Sequence, residues 1–316
     1  MQRLFLQLET VTPLFLGGAD PQGEPELRVA SVRGALRFWL RALLGGALGD
    51  RNLADLRRAE SAVLGSTETG ASPVIVRVEG VVNSKSFRPL LHNPSKTFTF
   101  KGIPPGAKFS LTLIPRTPHR EIHEIAQTAL LMFLSLGGLG KRARRGFGSL
   151  IIQSSGGTKF PDYSDGDCFF QWMQRFVQEA TAQIHSFIQK MAMKSESPKA
   201  VPSFPVVHSQ HTKVLFCKEG FSTWEQAMKA FWGILRSGRY RHNLVFGFAR
   251  KAGRQASPLH MRIVKTGSSN YHILLTAFRV RFAGQQPDWS VTQTFLEECK
   301  TKWEGEWIYG GNKPWR

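Results

Sequence analysis

The sequence predicts an α+β fold with two antiparallel sheets, and three observations carry that prediction. The order strand, helix, strand, strand, helix, strand is legible twice along the 316 residues. A segment of the first set, ASPVIVRV (71–78), is echoed in the second by ASPLHMRI (256–263). Between the sets lies one long amphipathic run (166–194), closed by the Pro/Ser-rich SESPKAVPSFP (195–205). A hydrophobic content of 41% is ample for packed cores, and this length suits two domains of ordinary size.

LFLQLETVTPLFLGG (4–18) alternates as a strand and is expected to end at Gly17-Gly18. SVRGALRFWLRALLGG (31–46) reads as a helix with Ser31 as its cap and Gly45-Gly46 as its stop. A strand follows at SPVIVRVEGVV (72–82), then a long basic and aromatic connection through PSKTFTFKG, then a strand at KFSLTLIPR (108–116). A helix over 121–136, a basic loop and a strand over 149–154 complete the set. This is the split βαβ order of a ferredoxin-like, or RRM-like, domain with two helices on one sheet. The second set offers a strand around 206–217, a helix at 222–237, strands at 258–265 and 271–282, a helix near 290–304 and a fainter last strand. The expected division is an N-terminal domain over 1–155, a helical connection and linker over 156–205, and a C-terminal domain over 206–316. Chance similarity of two amphipathic strands would explain the echo alone; with matching element order, duplication of one unit is the better account.

Forty-two Lys and Arg face 23 Asp and Glu, for a net charge of +19. No acid occurs between Gly80 and Arg120, between Ile125 and Pro161, or between Gln226 and Pro287, and the last window carries eleven cations. Such a field attracts nucleic acid or an anionic membrane, and acid-free windows suit a surface kept clear of phosphate repulsion. The three cysteines are far apart, without a CxxC pair, so no disulfide framework or zinc knuckle is implied and a reducing cytoplasm fits. Glu9 interrupts the apolar core a signal peptide would need, and the uncharged run 125–140 is too short and glycine-rich to span a bilayer. A cytoplasmic protein without a membrane partner is expected.

The most informative stretch is GGLGKRARRGFGS (137–149), with five glycines and four cations in thirteen residues, directly after the helical run and before a strand. Gly137, Gly138, Gly140, Gly146 and Gly148 permit positive φ and close backbone approach, while Lys141, Arg142, Arg144 and Arg145 bring charge to the same point. That suits a polyphosphate backbone; the plain alternative is a glycine-rich turn with a solvated charge run. A P-loop is excluded because Ser135 stands where its first glycine belongs and Arg142 follows the lysine. A dinucleotide fingerprint is excluded because it follows a strand and opens a helix, the reverse of the order here.

On the first helix Arg33, Arg37 and Arg41 recur every four residues as a basic stripe. With almost no intervening acid it suits phosphate, and a solvated helix face is the alternative. Trp39, Phe98, Phe100, Trp232 and Tyr240 are candidates for base stacking or for the core. His119, His123, His208 and His211 are the candidate bases for metal-independent RNA cleavage, though no spacing locks any of them to a partner. Metal-dependent hydrolysis needs clustered carboxylates, for which only Glu9, Asp20, Glu24 and Glu26 remain.

GGLGKRARRGFGSL resembles the glycine-rich loop of the RAMP superfamily of CRISPR RNA-binding proteins. TPLFLGGADPQGEPELRVASVRGALRFWLRAL (12–43) is similar to the opening of one of its subgroups, subunit one of the Cmr (type III-B) effector complexes, and RQASPLHMRI (254–263) fits its C-terminal half. The resemblance implies two ferredoxin-like domains in a multi-subunit ribonucleoprotein, near the 3′ end of the CRISPR RNA and in contact with single-stranded target RNA. It implies other Cmr subunits as partners, no cofactor, and binding without cleavage. It assigns the loop role to Gly137 through Ser149 and the basic-helix role to Arg33, Arg37 and Arg41. The second half departs from the pattern, since GFARKAGRQ (247–255) holds only two glycines, although Arg250, Lys251 and Arg254 keep the charge. A processing endoribonuclease with a histidine base and a basic protein–protein scaffold are the rival readings.

Overall fold

The computed structural model describes residues 3–18, 20, 23–91, 97–156, 158–198, 200–250, 253–284, 286–311 and 313–315. Its first half runs β1 (Leu4–Thr10), α1 (Val29–Leu48), α2 (Leu53–Leu64), β2 (Val74–Glu79), a short hairpin of β3 (Lys85–Phe87) and β4 (Phe100–Gly102), β5 (Lys108–Pro115), α3 (Arg120–Leu136) and β6 (Leu150–Gly156). The main sheet has the order β2-β5-β1-β6, with every neighbour antiparallel. Leu4, Leu6 and Leu8 alternate into the core as period-two patterning dictates. After α4 (Gly166–Lys190), the second half runs β7 (Thr212–Cys217), α5 (Trp224–Leu235), a hairpin of β8 (Phe248–Arg250) and β9 (Gly253–Gln255), β10 (Leu259–Thr266), β11 (Asn270–Phe278), α6 (Trp289–Lys302) and β12 (Gly305–Tyr309). Its sheet order, β10-β11-β7-β12, repeats the first position for position. Two ferredoxin-like units with antiparallel sheets are therefore present, as the sequence predicts.

Several local expectations are corrected. β1 ends at Thr10, not at the glycine pair. Helix α1 starts at Val29 with no side-chain cap, so Ser31 lies inside it, and it passes through Gly45-Gly46 to Leu48. Those glycines serve packing, because a Cβ at Gly46 would stand 2.1 Å from the Val207 carbonyl oxygen, and Val207 N donates to Ala42 O at 2.7 Å. Helix α2 adds to the elements that the sequence predicts. Its signals are Asn52, which caps Asp55 N at 3.0 Å, and the spacing Leu56, Ala59, Val63.

Helix α4 is capped by Asp165 and buries Phe169, Met173, Phe176, Val177, Ala180, Ile184 and Ile188 along one stripe. It packs on α1 and α3 of the first half and on β12 of the second, so the connection is a shared wall. Helix α3 also touches both sheets, through β6 and β11, which explains why its last twelve residues but one are buried without a polar face. Among the described residues no helix is long and apolar enough to cross a membrane.

The seam between the units is polar at its centre. Buried Arg262 on β10 donates Nη1 to Gly137 O at 3.2 Å and Nη2 to Leu150 O, and Ile263 N donates to Ser149 Oγ at 3.1 Å. Lys265 pairs with Glu9 at 3.2 Å.

Candidate nucleic-acid interface

The glycine-rich loop lies on this seam. On one side it is tied to the first unit: Lys141 N donates to Phe15 O at 2.8 Å, Gly148 N to Pro13 O at 3.0 Å, and Thr12 Oγ1 to Gly146 O at 2.7 Å. On the other it lies along β10, where Gly146 N donates to Met261 O at 3.1 Å and Met261 N to Arg144 O at 3.2 Å. Gly140, Gly146 and Gly148 take φ of 83°, 89° and 65°, and a Cβ at Gly148 would come within 1.9 Å of Leu139 O. Gly137 caps α3 in extended geometry, and a Cβ on neighbouring Gly138 would crowd Phe147 O at 3.0 Å. The glycines are needed because two chain segments approach the loop backbone at once.

The loop cations are not alike. Lys141 is exposed, with Nζ 5.5 Å from the Phe100 ring centre. Arg144 and Arg145, expected on a surface loop, are half-buried: Arg144 Nη1 donates to Ser257 O and Arg145 Nη2 to Phe246 O, both at 2.9 Å. Their guanidinium groups lie 5.7 Å from the Phe38 and 5.4 Å from the Trp232 ring centres. Arg142 takes φ 61°, in the left-handed region. Burial lowers the pKa of all three. For Arg145 it does so to about 10, with the charges of Arg142, Arg144 and Arg236 adding to the burial. Among the described residues no carboxylate forms an ion pair with any of them.

The helix stripe has the counter-ion that its own stretch of sequence lacks. Glu60 on α2, 5% exposed, accepts Arg37 Nη1 at 2.8 Å and Arg41 Nη2 at 3.1 Å. Arg33 and Arg37 also donate to Leu64 O and Gly65 O, each at 3.4 Å. The stripe thus holds α2 and the turn after it, while Arg37 and Arg41 keep 32% and 52% of their side chains exposed along a 640 Å³ groove with Phe38, Arg57 and Phe204. Phe38 links this groove to Arg144, so the cations of α1, of the loop and of the segment after α5 follow one another along the seam. Arg236 and Arg241, just beyond α5, belong to this series and were missed. Their isolated positions after a helix carry no periodic signal, and only the tertiary fold brings them to Arg145.

Of the second-half residues, Arg254 is exposed on β9 and Arg250 lies on β8, while Lys251 lies outside the described residues. Trp39, Trp232 and Tyr240 are core residues, and Phe98 is 46% exposed. His123 Nε2 donates to Thr117 O at 3.2 Å, and burial lowers its pKa. The His208 and His211 rings lie 5.6 Å apart, and burial with the neighbouring imidazoles brings His208 to about 4. Among the described residues no histidine stands within ion-pair distance of a carboxylate, and no group of three or more His, Cys, Asp or Glu could hold a metal ion.

The repeat extends to detail. After Leu64, Gly65 (φ 69°) would clash through a Cβ with Ser72 N at 2.6 Å and Gly70 O at 2.7 Å; after Phe246, Gly247 (φ 83°) would clash with Ser257 N at 2.6 Å and Gln255 O at 2.8 Å. Ser72 and Ser257 each accept from the backbone N–H two residues on, in the twin ASP segments. The molecule is thus a tandem ferredoxin-like protein whose two halves meet at a glycine-rich basic loop.

Known proteins share this plan. The model of the RAMP superfamily matches residues 7–151. CRISPR system Cmr subunit Cmr1-2 of Pyrococcus furiosus is 34% identical over 185 residues, 48% of this chain and 96% of that one. Subunit Cmr1-1 of the same organism is 27% identical over 326 residues, 92% of this chain and 93% of that one. The crystal structure of apo Cmr1 from P. furiosus superposes with a TM-score of 0.69 at 22% identity, covering 98% of this chain and 100% of that one. A chain of the type III-B Cmr-beta complex bound to cognate target RNA superposes with a TM-score of 0.61 at 14% identity, covering 95% and 99%. The chain belongs to the RAMP superfamily, within its Cmr1 family of CRISPR system Cmr subunits.

Proposed function

We propose that this chain is a non-catalytic, RNA-binding subunit of a type III-B Cmr effector ribonucleoprotein that contacts CRISPR RNA near its 3′ end, the target RNA, or both. The observation that carries the proposal is the series of cations along the seam, from Arg37 and Arg41 through Arg144 and Arg145 to Arg236, in which Glu60 is the only paired acid among the described residues. Family membership supports it, as does a related fold inside an assembly bound to cognate target RNA. Protein partners would be the other subunits of such an assembly, and its cytoplasmic location would follow.

The test is binding of the full chain to single-stranded RNA across a salt series. If five to eight phosphates are neutralised, log K falls against log[salt] with a slope of roughly −4 to −6. A slope near zero removes the basic surface's proposed partner. The same samples are analysed on a denaturing gel with and without divalent metal. Cleavage that is lost on replacing one histidine while binding persists would make the chain a processing endoribonuclease, and neither binding nor cleavage would leave a protein scaffold.

A further inference from the structure

Beyond the loop itself, a 250 Å³ pocket opens where Arg145 of the first unit meets Trp232, Arg236, Tyr240, Arg241 and Phe246 of the second. Arg145 and Arg236 both stand over the Trp232 ring, at 5.4 and 5.7 Å from its centre. Arg145 Nη1 and Arg142 Nε are enclosed with no hydrogen-bond partner among the described residues. Among those residues, no carboxylate forms an ion pair with Arg142, Arg145, Arg236 or Arg241. Glu298, bonded to a lining residue, accepts the Tyr240 hydroxyl at 2.7 Å. Enclosed donors without acceptors are costly, and like charges drawn together around one ring repel. The mutual influence is registered in Arg145, whose pKa is lowered by burial and by Arg142 and Arg236, and in Arg236, lowered by burial and by Arg241. Two of the four described non-glycine residues with positive φ, Arg142 (61°) and His242 (71°), flank the site, so the backbone is held in sparsely populated conformations where the cations converge.

A group that satisfies convergent, unpaired guanidinium donors is a tetrahedral oxyanion with several acceptors. We propose that this pocket seats one phosphate group of RNA, and that the phosphate, held by Arg145 from the first unit and by Arg236 and Arg241 from the second, clamps the two units together. The proposal rests on the RNA-binding reading above and adds a discrete seat and a structural consequence. The space corresponds to about eight waters, enough for a phosphate with part of its sugar. The aromatic ring is covered by guanidinium groups and buried, so the pocket reads phosphate and not base.

The experiment compares the full chain with Arg236→Ala/Arg241→Ala, whose side chains are exposed and, among the described residues, form no hydrogen bond or ion pair across the seam, and with Arg120→Ala/Lys190→Ala, two exposed paired cations that line neither the groove nor the pocket, as the bulk-charge control. Inorganic phosphate, against chloride at matched ionic strength, is expected to raise the unfolding temperature of wild type and of the control but not of the pocket variant. Affinity for single-stranded RNA is expected to fall about tenfold or more in the pocket variant and clearly less in the control. Oligonucleotides with and without a terminal phosphate identify the source: a loss confined to the phosphorylated RNA marks a chain end as occupant, and an equal loss marks an internal phosphodiester. A phosphate shift that survives in the pocket variant, or equal loss of RNA affinity in pocket variant and control, overturns the seat. If the pocket variant binds RNA as tightly as wild type, the seat falls while the proposed function stands. If wild type binds no RNA, the proposed function fails, and the RNA occupant with it.

Discussion

Arg145 is one of several residues that join the two units, and it does so through its guanidinium group. Its Nη2 donates to the carbonyl of Phe246, a residue 4% exposed, and removing it leaves a largely buried acceptor without its donor. Arg145→Ala is expected to lower stability by about 1–3 kcal/mol, read from urea unfolding. Arg57→Ala, which removes an exposed pair with Glu68, is expected to stay within about 0.5 kcal/mol. Equal changes at the two sites would show that Arg145 carries charge and nothing structural. For the same reason a charge reversal at Arg144 and Arg145 would disturb the seam as well as RNA affinity, and Arg236 and Arg241 are the cleaner probes of binding.

At the scale of elements, the turn that leads into β2 and the turn that leads into β10 are built alike. Gly65 and Gly247 both hold positive φ against a backbone nitrogen 2.6 Å from where a Cβ would sit. Gly65→Ala and Gly247→Ala are each expected to cost about 1–3 kcal/mol, since an alanine there carries the left-handed conformation and a clash with backbone that cannot rotate away. Thermal unfolding of the two variants measures this, and a loss at only one site would break the equivalence of the turns. The three-residue strands β3, β4, β8 and β9 stayed hidden from sequence reading because three residues are too few to establish a period. Helix α2 was hidden for a different reason: its charged face interrupts the apolar stripe, although its cap residue was present.

The whole molecule carries several histidines whose burial favours the neutral form. His123, His208, His211, His260 and His272 all have lowered pKa values, with burial as the first cause in each. Between the unfolded value near 6.5 and the folded value of about 4 for His208, the unfolded chain binds more protons. Stability therefore rises with pH in that window. The contribution is present above 6.5 and is lost as pH falls through about 4. The unfolding temperature is expected to drop steadily on acidification from neutral pH, and His208→Gln to make that drop shallower. A flat profile would mean that these histidines titrate alike in both states.

The sequence by itself determined the two ferredoxin-like units, the long helix between them, the twin ASP strands and the glycine-rich loop. Each of these is written in local periodicity, in spacing or in a contiguous motif, and local patterns survive without knowledge of the fold. Tertiary structure alone decided what the charges face. Glu60 reaches Arg37 and Arg41 from a helix that begins after a turn, so the acid missing from the stripe's own stretch arrives through packing. Arg144 and Arg145 look solvated in a polar string of residues, yet their partners are carbonyls more than a hundred positions away. Arg236 and Arg241 join them only because the second unit docks its β10 along the loop. Pairing and burial of charge depend on distances in space that sequence separation does not encode, which is why the scaffold was legible in the chain and the wiring of its cations was not.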